Sequence, residues 1–200
     1  MKPLLLSMSL LLAALSAGAG DVPPPPHNHP IAMIGDSITH QGDWATVLGR
    51  SDVTNWGIPG YTTGQLAWTF KDLLTQQPGV KVVFLQGGIN DLTLGVPPER
   101  IFDNQVQAVA YWRAHGVIPV LQSVIYKSDE PETNVTIKAL NARLLAYCTT
   151  AHVDYLDLNA MLGARDALQA DLSTDGTHLK PAAYPLWAAA VKAELAKLGL

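Results

Sequence analysis

The chain has 200 residues, 15% of them charged, and a formal net charge of −4 at pH 7. That length holds one domain with a sizeable core. The mildly acidic balance, with no basic run and no basic amphipathic stretch, argues against nucleic acid and against electrostatic binding to membranes. The single cysteine, Cys148, cannot form an internal disulfide; beside Leu144 and Leu145 it reads as an inert thiol on a buried helix face.

Lys2, the apolar residues 4–15 and Ala17-Gly18-Ala19 together have the form of a secretory signal peptide over residues 1–19. The apolar stretch is short for a spanning helix; an uncleaved N-terminal anchor is the competing reading. No cysteine near the cleavage site points to a lipoprotein. Export to the periplasm or beyond is expected, with no stable membrane insertion once the leader is removed. Residues 20–30 include four consecutive prolines and read as an extended linker. His27 and His29 lie in it without a third ligand and are taken as solvated, not metal-binding.

The apolar run 31–34 predicts a buried strand that ends in Gly35-Asp36-Ser37. A short helix is expected over 44–48 and a second strand over 53–56. Gly57, Pro59 and Gly60 mark the loop 57–63, with Thr63 as cap of a helix over 66–74. Residues 80–85 are the most strand-like run, ending in Gly87-Gly88, so Asn90 falls just past a strand end as Ser37 does. A helix runs from Pro97-Pro98 to about His115, with Phe102, Val106, Val109 and Trp112 at helical spacing and Gly116 as its stop. Residues 117–124 form a fourth strand in which Pro119 is awkward, since proline cannot donate to a ladder. A polar loop over 126–133 leads to a helix carrying Ile137, Leu140, Leu144 and Cys148. Residues 153–156 are a fifth strand and 161–171 a short helix and loop. The last helix starts near Pro181 to Pro185 and buries Trp187, Val191 and Leu195. Strands alternating with helices predict an α/β domain with a parallel sheet covered on both faces.

Four short blocks carry chemistry-bearing residues: Gly35-Asp36-Ser37, Asn55-Trp56-Gly57, Gly88-Ile89-Asn90-Asp91 and Asp175-Gly176-Thr177-His178. Each alone has an ordinary explanation. Gly-Asp-Ser makes a turn, Gly57 and Asn90 are turn residues, and Asp175 caps the final helix with His178 packed on it. A serine nucleophile, however, needs a base and the base an orienting group, and Asp175 and His178 are spaced to project from one tight turn. Asp36 and Asp91 are expected to hold loops through backbone hydrogen bonds.

In this order the blocks resemble the SGNH hydrolases, the GDSL-type esterases and lipases, over residues 31 to about 191. The resemblance implies a three-layer α/β/α sandwich with a flavodoxin-like parallel sheet of about five strands, and a single hydrolase domain over 31–200. It implies Ser37 as nucleophile, His178 as base and Asp175 as its orienter. It assigns the oxyanion hole to the Ser37 N–H, the Gly57 N–H and the Asn90 amide. No metal or cofactor is called for. Tyr61 departs from the family, many members of which carry an acidic residue there. His40 has no assigned role, and no Gly-x-Ser-x-Gly elbow supports an α/β-hydrolase fold. The expected activity is a secreted serine esterase on small-molecule or carbohydrate esters, with short acyl groups such as acetyl preferred, since no long lid segment is visible. A lysophospholipase or thioesterase with the same residues is the alternative, followed by a catalytically inactive carbohydrate-binding module.

Overall fold

The computed structural model describes residues 28–200; the predicted leader and most of the predicted linker lie outside these residues. Five strands, β1 (Ile31–Gly35), β2 (Val53–Gly57), β3 (Val82–Leu85), β4 (Ile118–Gln122) and β5 (Asp154–Leu156), form one sheet in the order β2-β1-β3-β4-β5. All four ladders are parallel. This is the flavodoxin-like order, in which the chain reverses direction of winding between β1 and β3 and opens a crevice at their carboxyl ends.

Strands β1 and β3 carry no polar side chain because both faces of the sheet are covered there. Residues 31–34 of β1 and Val82, Val83 and Phe84 of β3 have no solvent exposure. Pro119 is accommodated because β5 pairs only with Val120, Leu121 and Gln122, so the proline lies beyond that ladder.

The long helices stand where the periodicity puts them: α6 (Pro98–Ala114), α7 (Pro131–Ala151) and α9 (Tyr184–Leu198), with α2 (Trp44–Leu48) after the serine block. Gly116, at φ 71°, stops α6 in the left-handed region that glycine adopts without strain. Cys148 is buried on α7, and burial pushes its thiol up to about 11, as expected of an inert core sulfur. Leu145, its expected companion, is exposed.

Several local expectations change. The helix predicted over 66–74 is three pieces: α3 (Thr63–Leu66), a 3-10 turn (Ala67–Thr69) and α4 (Phe70–Gln76). Its cap is Thr62, not Thr63, in a capping box with Gln65. Thr63 is inside the helix because its N–H and hydroxyl are taken by Asp91 instead. Residues 161–171 contain the end of α8 (Asn159–Leu162) and a small antiparallel hairpin, β6 (Gly163–Ala164) and β7 (Ala167–Leu168). His29 is half-buried, not solvated, and its carbonyl accepts from Gln77 Nε2 at 2.7 Å. Two further short helices, α1 (Ser37–His40) and α5 (Ile89–Thr93), carry the predicted site residues Ser37 and Asn90.

Candidate active site

Ser37 follows β1 and Asn90 follows β3, so both stand at the carboxyl ends of adjacent strands, where the winding reverses. Ser37 is the first residue of α1, which is too short to be stable by itself. Other parts of the chain hold it. Asp36 caps it, accepting from the Ile38 N–H at 2.9 Å. The buried Tyr184 hydroxyl donates to the Ile38 carbonyl at 2.8 Å, and the buried Trp44 indole donates to the Thr39 carbonyl at 2.9 Å. Both rings contact Trp187 of α9. The serine is thereby tied to the apolar layer beneath the sheet edge.

His178 reaches Ser37 from the far end of the chain, with Nε2 2.9 Å from Oγ. Its Nδ1 stands 2.7 Å from Asp175 Oδ2. A carboxylate at Nδ1 fixes the proton on that nitrogen and leaves Nε2 as acceptor for the serine hydroxyl. The turn between them is closed by its own bonds: Asp175 Oδ1 accepts the backbone N–H of Thr177 and of His178, and Gly176 stands at φ 91° with its N–H on Ser173 Oγ. Hydrogen bonds from the His178 N–H and ring, with the Thr177 N–H, push the Asp175 carboxyl down to about 2 although its side chain is 53% exposed. Asp175 caps this turn and not the final helix, which begins nine residues later at Tyr184.

The three predicted oxyanion donors are differently placed. The Ser37 N–H, an orphan of the first helical turn, has no acceptor among the described residues. Asn90 spends one amide hydrogen on the Tyr61 carbonyl at 3.0 Å and keeps the other. The Gly57 N–H is already engaged, donating to Asn55 Oδ1 at 2.9 Å. This differs from the expectation that Gly57 offers a free donor. The need for glycine there is steric: a Cβ would lie 2.2 Å from the His40 backbone nitrogen. His40, without a role in the sequence reading, donates from Nδ1 to the Gly57 carbonyl at 3.0 Å.

Two residues gain a larger part than the sequence gave them. Asn55 holds Gly57 with its oxygen and the Thr39, His40 and Gly42 carbonyls with its amide. Asp36 is fully buried, and its Oδ2 has no partner among the described residues. Burial raises its carboxyl to about 6, against the Ile38 hydrogen bond and the attraction of His178. An Asx-type spacing is the only sequence signal for either. Asp91 holds a loop as expected, joining α5 to the start of α3 through Thr63.

A cavity of about 440 Å³ adjoins the histidine turn, walled by Val47, Leu179, Pro181 and Tyr184 with Gln41, Asp43 and Thr174. No group of three or more His, Cys, Asp or Glu able to hold a metal occurs among the described residues. No helix among them is long and apolar enough to cross a membrane.

The fold is similar to that of an acylhydrolase assignment from Bacteroides fragilis NCTC 9343, with TM-score 0.74 and 22% identity over 89% of this chain and 92% of that one. The acetyl xylan esterase AlAXEase matches with TM-score 0.69 and 17% identity over 82% of this chain and 98% of that one. In sequence, an N-acylneuraminate cytidylyltransferase of Streptococcus agalactiae serotype V is 26% identical over 133 residues, 66% of this chain and 32% of the relative. The chain thus spans about a third of the length of the curated relatives it matches. Residues 33–186 match the GDSL-like Lipase/Acylhydrolase family, a span that includes all four blocks, and the chain belongs to that family.

Proposed function

We propose that the chain is a carboxylic ester hydrolase working through an acyl-enzyme on Ser37. The observation that carries this is the continuous line Ser37 Oγ, His178 Nε2, His178 Nδ1, Asp175 Oδ2, with contacts of 2.9 and 2.7 Å. In the first step Ser37 Oγ bonds to the ester carbonyl carbon while its proton passes to His178 Nε2. The oxyanion is met by the Ser37 N–H and the free Asn90 amide hydrogen. Collapse of the tetrahedral species breaks the bond to the alcohol oxygen, which takes the proton from His178. Water then attacks the acyl carbon, giving a proton to His178, and Ser37 leaves with it as the acid is released.

The substrates proposed are short acyl esters, acetyl first, on a carbohydrate alcohol. Support comes from family membership and from the name of one structural neighbour, an acetyl xylan esterase. The signal-peptide form of residues 1–19 supports export, with residues 31–200 as a single catalytic domain. The test is mass spectrometry after a serine-directed organophosphate: the adduct should sit on Ser37, and Ser37→Ala should fold yet lose turnover and labelling. An adduct on another serine would overturn the mechanism, and an inactive, unlabelled native chain would favour a binding module.

One observation favours a second reading, a long-chain acyl ester. The 440 Å³ cavity beside the histidine turn has an apolar wall of Val47, Leu179, Pro181 and Tyr184, set against Gln41, Asp43 and Thr174, and has room for an acyl tail. A chain-length series of nitrophenyl esters separates the two, with a maximum at acetate supporting the first and at octanoate or beyond the second.

A further inference from the structure

Trp68 is 68% exposed, a large apolar surface given to water with no packing reason within the fold. It is not isolated. Its ring meets Tyr61 edge to face, with centroids 6.3 Å apart and planes at 77°. Tyr61 is half-buried against the core and stands at the end of the loop that leaves β2 after Gly57. Its carbonyl takes one hydrogen of the Asn90 amide, the group proposed above as an oxyanion donor. The residue that carries the Tyr61 ring is thus anchored through its backbone to the proposed oxyanion donor, and Trp68 stands exposed on the surface beside it.

We infer that the exposed Trp68 indole, buttressed edge to face by Tyr61, is a stacking platform for the sugar ring of the alcohol half of the ester. This rests on the ester-hydrolase reading above and specifies its substrate. The faces of a pyranose ring carry C–H bonds of slightly positive character, and the face of an indole is negative, so the two attract when stacked. The hydroxyls around the sugar's rim meanwhile stay in water, as an exposed platform requires. A fatty tail fits this surface poorly. It gains by removing each methylene from water on all sides, and an open ring face covers one side only. The T-shaped packing on Tyr61 sets the orientation of the indole before any ligand arrives, which lowers the cost of ordering it.

The experiment compares kcat/KM for an acetylated xylo-oligosaccharide with that for ethyl acetate, which has no ring to stack. The ratio should fall about three- to tenfold in Trp68→Ala, through KM more than kcat, and recover in Trp68→Phe. An unchanged ratio, or an equal loss with Trp68→Phe and Trp68→Ala, overturns the platform. So does a loss confined to an octanoate ester, which would assign Trp68 to an acyl tail. Calorimetric titration of the unacetylated oligosaccharide against Ser37→Ala reads binding without turnover. Binding by Ser37→Ala that weakens by a similar factor on adding Trp68→Ala supports the platform even if the native chain hydrolyses neither ester. In that case the ester reading alone has failed. No binding to Ser37→Ala overturns the platform.

Discussion

Asn55 Oδ1 accepts the Gly57 N–H at 2.9 Å, while the amide of the same side chain donates to the carbonyls of Thr39, His40 and Gly42 at 3.0–3.2 Å. One side chain thus fixes the loop after β2 against the turn that follows Ser37. It also occupies the backbone hydrogen that the resemblance assigns to the oxyanion hole.

Asn55→Asp separates these duties. The carboxylate still accepts from Gly57, but it has no hydrogen for the three carbonyls and repels them. Because the site is partly open to water, the expected loss is about 1–2 kcal/mol, read as a melting temperature lower by roughly 2–8 °C. An unchanged melting temperature would show that the Asn55 amide does not hold this turn.

With Gly57 engaged, Asn90 is one of two free donors. Asn90→Ala should lower turnover about a hundred- to a thousandfold with KM little changed, because the interaction is made mainly in the transition state. The organophosphate adduct on Ser37 should still form, more slowly. Normal turnover per folded molecule together with a lowered melting temperature would falsify the donor role and leave Asn90 as a loop anchor for Tyr61.

Asp175→Asn keeps an oxygen for the Thr177 and His178 N–H groups but no longer fixes the proton on His178 Nδ1. Turnover should drop by roughly 10²–10⁴ with a modest change in melting temperature. The carboxyl is held at about 2 against an ordinary 3.8, so its stabilising contribution is present above the ordinary value and is lost only as pH falls through about 2. An acid limb of activity above pH ~4 must therefore come from groups other than Asp175. Full turnover in Asp175→Asn would remove the acid from the relay.

Asp36 has the opposite sign. Its carboxyl is raised from 3.8 to about 6 by burial, so the folded chain holds that proton more tightly than the unfolded chain. The resulting stability is complete below the lower value and is lost as pH rises through the upper one. The groups that act on it are His178 and Asp91, besides the Ile38 N–H. Asp36→Asn stays neutral and keeps an oxygen for Ile38. Relative to the native chain it should therefore gain up to roughly 3 kcal/mol between about pH 4 and pH 8, or about 6–12 °C in melting temperature. A difference that does not change with pH would mean that Asp36 is not titrating in the fold.

The order of strands and helices was legible because each long element repeats its apolar residues at its own period. The runs 31–34 and 82–85 have no polar position to show to water, and Trp187, Val191 and Leu195 recur along one helix face. Four blocks in a fixed order sufficed to recognise the family, and the Asp175 to His178 spacing already required one turn. Side-chain hydrogen bonds between distant segments have no period and leave no such trace. Sequence reading therefore missed that Thr62, not Thr63, caps α3, since Asp91 claims Thr63 from 28 residues away. It also could not tell that Asn55 occupies the Gly57 N–H, or that Tyr184 and Trp44 support the serine helix from below. The sequence by itself determined which residue types stand at the carboxyl ends of the strands. The tertiary structure decided which of their donors remain free, because that depends on what each one's neighbours in space have already bonded.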